Sequence, residues 1–262
     1  MYGLILAGAE GIGGINDLPY KAGFSLGNTT MLERAIAALT KVRAIEKIIV
    51  VGPEHLLTGE QRKKVWRVVL PGTSFFSNLK RGITSVPGDE PVLVVASDLP
   101  LITAEACDDF LKQCGSQEAD LYYPVIPEQT YQESYPGSKR TYIGLSDGVF
   151  TGGNMVLMKT TFFRRHQGLI RLAINLRKHP WVLALRFGIG FWWHFRQKKV
   201  SLHGIEILIR KKYRIEGKAI VSLYSEIGFD LDTLEDVNWV RFYWVGIRDH
   251  WQRDEEEEEW LM

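Results

Sequence analysis

Tyr2-Gly3-Leu4-Ile5-Leu6-Ala7-Gly8-Ala9-Glu10-Gly11-Ile12-Gly13-Gly14 opens the chain, and Lys21 follows a short way beyond it. Leu4 to Ala7 is an unbroken apolar run, as in a strand buried on both faces, and it passes straight into glycines. Glycine lets the backbone approach an anion closely and turn its N–H groups toward it, and a lysine adds a mobile point charge. The segment therefore reads as a phosphate site. It matches neither Gly-x-x-x-x-Gly-Lys-Ser/Thr nor a clean Gly-x-Gly-x-x-Gly, which disfavours a P-loop NTPase and a dinucleotide dehydrogenase. A strand and Gly-rich turn also occur in α/β domains that bind nothing there, so the rest of the chain decides.

Two further apolar runs, Lys47 to Val51 and Pro91 to Ala96, are separated from the first by helix-like segments. Met31 to Leu39 has apolar residues at helical spacing after the cap candidates Thr29 and Thr30, and a second helix is expected from about Thr103 to Gln113. Alternating strand and helix patterns of this kind feed a parallel sheet, so the first half is expected to be a doubly wound, mostly parallel α/β domain. Such sheets bind ligands outside the carboxyl ends of their strands, where Gly8 and the segment after Ala96 both fall. Beyond Asp120, Leu121 to Val125 and Gly153 to Met158 read as strands around a polar loop from Pro127 to Arg140, long enough to be functional or mobile. Helices are expected over Phe162 to Arg177, Trp181 to Lys198 and Leu234 to about Arg248.

The 262 residues are 45% hydrophobic, enough for a substantial core, and read as a single domain over 1–262 with a helical, basic and aromatic insertion at 160–220. Lys and Arg number 32 against 31 Asp and Glu, so the net charge of +1 gives no global reason to expect nucleic acid. The tail at 250–262 carries an acidic run and reads as solvated and disordered. Two cysteines, Cys107 and Cys114, support neither a disulfide framework nor a zinc site. His166, His179, His194 and His203 lack compact metal spacing. The first residues are those of a buried strand rather than a signal peptide, and a cytoplasmic location is expected.

Asp98 follows directly on the apolar strand Val92 to Ala96, in Ser97-Asp98-Leu99-Pro100. A carboxylate at that strand end, beside an anion-binding loop, is placed to hold a divalent cation against phosphate oxygens. Magnesium is typically held by one or two protein carboxylates, and Phe229-Asp230-Leu231-Asp232 supplies a partner, of which only one aspartate is expected to reach the site. Asp98 also fits a turn before Pro100, and Asp232 also fits the N-cap of the following helix.

The set resembles the nucleotidyltransferases built on a Rossmann-like, glycosyltransferase-A type sheet, most closely the MobA-like NTP transferases, along the whole chain. The carriers are Leu6-Ala7-Gly8-Ala9, Lys21 with Gly27 to Glu33, Ser97-Asp98-Leu99-Pro100-Leu101, Thr151-Gly152-Gly153-Asn154 and Asp230-Leu231-Asp232-Thr233-Leu234-Glu235-Asp236. The resemblance implies attack of a small phosphorylated or anionic acceptor on the α-phosphorus of an NTP, with release of pyrophosphate. It implies that Gly8 to Gly14, with Leu6, Ala7, Ala9 and Gly11 among the nucleotide-binding residues, cradle the β- and γ-phosphates. Lys21 would stabilise charge at the transferring phosphorus, and Asp98 with Asp230 would hold Mg2+ (or Mn2+). Asn78 would lie near the nucleotide, or simply start a helix after Ser74, and Gly152, Gly153 and Asn154 would line the acceptor side.

Three departures stand out: Ala9 replaces the usual second glycine, no arginine occurs between Gly11 and Pro19, and Leu234 replaces a proline. They keep a noncatalytic nucleotide- or sugar-nucleotide-binding protein as an alternative. A sugar-nucleotide glycosyltransferase is the weaker one, since Ser97-Asp98 offers one carboxylate where such enzymes show a pair. In the insertion, rings such as Trp181, Phe187, Trp192 and Trp193 alternate with Arg and Lys. They are expected to pack on the sheet or in a homodimer, with peripheral membrane contact through 181–199 as the alternative. No run there is long enough to span a bilayer.

Overall fold

The computed structural model describes residues 1–9, 19–116, 118–176, 182, 185–186 and 188–241. Among them β1 (Tyr2–Leu6) lies in the middle of a nine-stranded sheet, between β4 (Lys47–Val51) and β6 (Pro91–Ala96), both parallel to it. A two-stranded hairpin of β2 (Ser25–Leu26) and β3 (Thr29–Thr30) stands apart. β5 (Arg67–Val69) extends the sheet beyond β4. On the other side follow β10 (Met155–Lys159), β7 (Leu121–Pro127), β9 (Gly148–Gly152) and β8 (Ile143–Leu145), with β11 (Gly217–Val221) also paired to β7. Only β9 and β10 run against the rest. The sheet is thus doubly wound and mostly parallel.

The register explains where ligands can sit. Leu6 is level with Val51 on one side and Ala96 on the other, so the Gly8 loop and Ser97-Asp98 leave the sheet at the same edge. The chain runs from β1 outward through β4 to β5 and then returns to β6 on β1's other flank, which opens a crevice between β1 and β6.

Side chains alternate between two cores. Ile5, Val50, Leu93 and Val95 face one together with α1 (Met31–Lys41) and, further along, α4 (Ala104–Gln113). Leu4, Leu6, Ile49, Val51 and Val94 face the other, beneath α3 (Phe75–Thr84). Both faces of the central strands are therefore dry, as their unbroken apolar runs require. α1 begins with a capping box, in which the Thr30 hydroxyl accepts from Glu33 N at 3.2 Å and the Glu33 carboxylate accepts from Thr30 N. α2 (Gly59–Lys64) is capped likewise by Thr58 and Gln61, and α4 by Thr103.

Differences from the sequence expectations lie in the second half. The polar segment after β7 contains α5 (Glu128–Ser134), whose one buried residue is Tyr131. Its apolar signal is too sparse to be read from periodicity. Gly153 and Asn154 form the turn between β9 and β10 rather than strand, with Gly153 N donating to Pro124 O at 3.0 Å. The helix expected from Phe162 is broken at His166 into α6 (Thr160–Arg165) and α7 (Gln167–Leu176). α8 (Ile189–Arg196) and α9 (Leu202–Tyr213) follow, and α10 spans 234–241. The acidic tail and the expected extension of α10 to Arg248 lie outside the described residues.

A small third core of Val125, Leu145, Phe150 and Phe195 joins α8 to the sheet. The lack of a methyl at Gly82 lets α3 lie close on β1: a Cβ there would meet Leu4 Cδ1 at 2.6 Å and Val51 Cγ2 at 3.0 Å. Gly82→Ala gains helix propensity of up to about 1 kcal/mol but overpacks a fully buried leucine, at about 1–3 kcal/mol. We expect a net loss of about 1 kcal/mol in urea unfolding, and an increase in stability would show that α3 shifts freely.

Candidate active site

Three carboxylates from two distant parts of the chain converge at the crevice. Asp98, Asp230 and Asp232 each offer one oxygen, all within 4.8 Å of one another. Asp98 arrives from the end of β6, and Leu231 N donates to Asp98 O at 3.1 Å, which docks the 230–232 segment against that turn. Leu231 is fully buried. In extended backbone its neighbours on either side project to the opposite face together, which brings both Asp230 and Asp232 to the cluster. The expectation that only one of them reaches the site is corrected by this pairing.

Asp232 does not cap the following helix. Thr233 does: its hydroxyl accepts from Asp236 N at 3.2 Å, while the Asp236 carboxylate accepts from Thr233 N at 2.8 Å. Leu234 then occupies the first helical position, where proline is favoured but not needed, so the third departure noted above is structurally mild.

Two cations answer the carboxylates. Lys21 begins a short 3₁₀ turn, Lys21–Gly23, whose first N–H donates to Ala9 O at 3.2 Å. Its ammonium donates to Asp232 and lies 3.7 Å from Asp98. Burial alone would lower the Lys21 pKa, but the Asp232 hydrogen bond and the charges of Asp98, Asp232 and Asp230 outweigh it and raise it. On the far side Arg140 pairs with Asp230 and donates to Gly152 O at 3.1 Å, while its Nε is buried with no hydrogen-bond partner. Burial raises the Asp230 pKa against the pull of Arg140. Asp98 is pushed to about 6, first by burial and then by the charge of Asp230, with Lys21 opposing.

The remaining expected residues surround this centre. Asn78 is buried in the first half of α3, where its carbonyl accepts from Gly72 N at 2.6 Å. A Cβ on Gly8 would meet Pro71 Cβ at 2.6 Å and Asn78 Nδ2 at 2.7 Å, so Gly8 and Asn78 are in close contact. The helix-start role belongs to Ser74, whose hydroxyl accepts from Ser77 N at 3.1 Å. Leu6 and Ala7 are buried strand-end residues, and Gly11 lies outside the described residues. Gly152 touches the centre through Arg140, while Asn154 N donates to Ile227 O at 2.7 Å and fixes the chain just before Asp230.

The sequence reading missed Arg140, Tyr131 and Trp239. A cavity of about 780 Å³ opens beside the carboxylates, with Tyr131, Ser138, Lys139, Arg140 and Trp239 in its lining. The Arg140 guanidinium sits 5.6 Å from the Tyr131 ring centre. The available signal was an arginine closing a polar segment already marked as long enough to be functional.

The trio has the oxygen donors that hard divalent cations take, Asp98 and Asp230 are only partly exposed while Asp232 is open to solvent, and the like charges are a burden without a cation among them. The residues fit such an ion. These features place an acidic, cation-suited centre at the carboxyl ends of the strands of an α/β sheet. Residues 3–182 match the model of the MobA-like NTP transferase domain, and the chain belongs to that family. It is a nucleotidyltransferase by that membership. A search of curated proteins returns no match. Among solved structures, a hypothetical transferase from Thermus thermophilus is 28% identical with a TM-score of 0.77, covering 90% of this chain and 98% of its own. A 4-diphosphocytidyl-2C-methyl-D-erythritol synthase from Anaerococcus prevotii shares the fold at 14% identity and a TM-score of 0.55, over 92% of this chain and 96% of its own. A CMP:2-keto-3-deoxy-manno-octonic acid synthetase with CTP shares it at 10% and 0.56, over 94% and 98%.

The Asp98 shift carries a stability prediction. Its folded pKa is raised, so its contribution to stability is full below its unfolded value and lost as pH rises through about 6. Asp98→Asn keeps the side chain neutral at every pH. In cation-free buffer the variant should match wild type near the acid end and become more stable than it above pH 6, by up to roughly 3 kcal/mol. Urea midpoints that differ equally on both sides of that pH would exclude a strained carboxylate cluster.

Proposed function

We propose that the chain transfers an NMP from an NTP to a small phosphorylated or otherwise anionic acceptor, releasing pyrophosphate, and that it depends on Mg2+ or Mn2+ held by Asp98 and Asp230 with Asp232 beside them. The observation that carries this reading is the meeting of three carboxylates and Lys21 at the carboxyl ends of β1 and β6, beside the Gly8 loop. Bound there, a divalent cation would supply charge neutralisation for the phosphate oxygens.

In the reaction an acceptor oxygen attacks the α-phosphorus, and the bond from that phosphorus to the β-phosphate oxygen breaks. The electron pair leaves with pyrophosphate. The protein has to align the two reactants and neutralise the charge that grows on the α-phosphate and the leaving group. Lys21 is suited to the former charge, since its ammonium is already gathered among the three aspartates rather than ranging in solvent. Gly8 lies close against Asn78 and Pro71, and the glycines that follow it in the sequence favour backbone N–H groups as the phosphate cradle. The cavity beside Asp230 is the place we assign to the acceptor. Arg140 brings there the guanidinium fork that the Gly-rich loop lacks, with Lys139 near the mouth and Tyr131 and Trp239 as an aromatic wall.

Pyrophosphate release from each of the four NTPs, with Mg2+ and pools of phosphorylated metabolites, tests the proposal directly. Lys21→Ala should lower kcat on the order of a hundredfold while changing the NTP KM much less, because the cation matters most when charge accumulates at phosphorus. Arg140→Gln should act mainly on the acceptor, raising its KM about tenfold or more. NTP binding without turnover across the whole panel would move the assignment to the noncatalytic alternative.

A further inference from the structure

Between Asp147 and Glu206 the chain contains no aspartate or glutamate but ten lysines and arginines, although the whole protein carries only +1. The described helices of this stretch carry the apolar residues that the expectation of buried rings does not cover. In α8, Phe195 is buried in the third core and stacks with Phe191, whose ring centre is 6.1 Å away. That face holds the helix to the sheet. Ile189 and Trp193, one turn apart, lie on the face turned to solvent, 80% and 55% exposed. Just before α8, Val182 and Leu185 are 45% and 49% exposed. Arg186, Arg196 and Lys199, close to them in sequence, are exposed, as is Lys198, although the end of its side chain lies against Gly144.

We propose that this face docks on the surface of an anionic lipid bilayer, with Ile189 and Trp193 entering the boundary between headgroups and acyl chains and the flanking cations resting on the lipid phosphates. The chemistry selects this occupant over others. A second copy pairing the same face would oppose like charges across a two-fold axis. A nucleic acid would welcome the cations and Trp193, but it offers exposed aliphatic groups such as Ile189 and Leu185 no dry environment, whereas the bilayer boundary does. Tryptophan is also favoured at that depth, its ring apolar and its N–H able to meet headgroups. No helix among the described residues is long and apolar enough to cross a membrane, so the contact is peripheral. One apolar edge with a basic surround gives reversible, salt-sensitive attachment, not permanent anchoring. This surface is independent of the carboxylate centre, and its assignment stands or falls apart from the transfer reaction.

Vesicle flotation tests it. The whole protein is mixed with vesicles of phosphatidylcholine alone, or of phosphatidylcholine with one third phosphatidylglycerol, at low and high salt. We expect flotation with the anionic vesicles at low salt, and about tenfold less with neutral vesicles or at high salt. Ile189→Ser/Trp193→Ser should cut binding to anionic vesicles about tenfold or more without lowering the unfolding midpoint, since both side chains are exposed. An environment-sensitive dye on Ile189→Cys should shift to the blue on binding; the native Cys107 and Cys114 are buried and escape labelling. The proposal is overturned by wild type that ignores anionic vesicles, by a double variant that still floats as well as wild type, or by a dimer in sedimentation that the double substitution dissociates. It is overturned equally if single-stranded RNA is bound and vesicles are not.

Discussion

Three aspartates meeting at one edge of a buried sheet create a debt of charge that organises everything around them. Burial of a carboxylate costs free energy and the neighbouring carboxylates add repulsion, so Asp98 is pushed up to about 6, first by burial and then by the charge of Asp230. Lys21 and Arg140 offset that cost from opposite sides, one through Asp98 and Asp232, the other through Asp230. Neither cation is on a regular helix or strand of the sheet. They are brought in by a 3₁₀ turn after the Gly-rich loop and by the segment after α5, so two segments outside the sheet are tied to its edge by charge.

The central sheet was legible because burial on both faces leaves a continuous apolar signature. Leu4 to Ala7, Lys47 to Val51 and Pro91 to Ala96 all form the expected central strands, β1 ending at Leu6, and Thr103 caps the expected helix. Asp98 could be named in advance because it follows such a strand almost directly, whereas Lys21 and Asp230 were reached through the Gly-rich loop, the need for a partner carboxylate and the family resemblance. Arg140 could not be named in advance. Its meeting with Asp230 joins residues ninety positions apart through a segment with no periodic signal, and the helix within that segment buries only Tyr131. Asp232 was undervalued for a different reason: Thr233 competes for the cap, and only the hydrogen bonds decide between them.

The departures from the family pattern look different in three dimensions. Leu234 sits at a first helical position, where the missing proline removes a preference and no contact. The Gly-rich segment lacks a planar, bidentate donor, and Arg140 places one beside Asp230, with no hydrogen-bond partner for its Nε among the described residues. In the proposed reaction a guanidinium held there would meet the acceptor's charge instead of the triphosphate's, leaving the nucleotide side to Lys21 and backbone amides.

Charge is divided on a larger scale too. A net charge near zero conceals an acidic centre at the sheet edge and a long stretch without a single carboxylate. Helices α7 and α9 bury no residue fully, and α8 buries only Phe195, so this part of the chain cannot draw its stability from a deep core of its own. It is held by partial burial against the second and third cores, through residues such as Ile170, Ile174, Ile205 and Ile209. Substitutions that make its outer face polar therefore cost the fold little, because the exposed apolar groups there make few of the contacts that hold the helices in place. Large apolar side chains among cations on such a face add little to folding stability, and the proposed docking surface would give them a physical role.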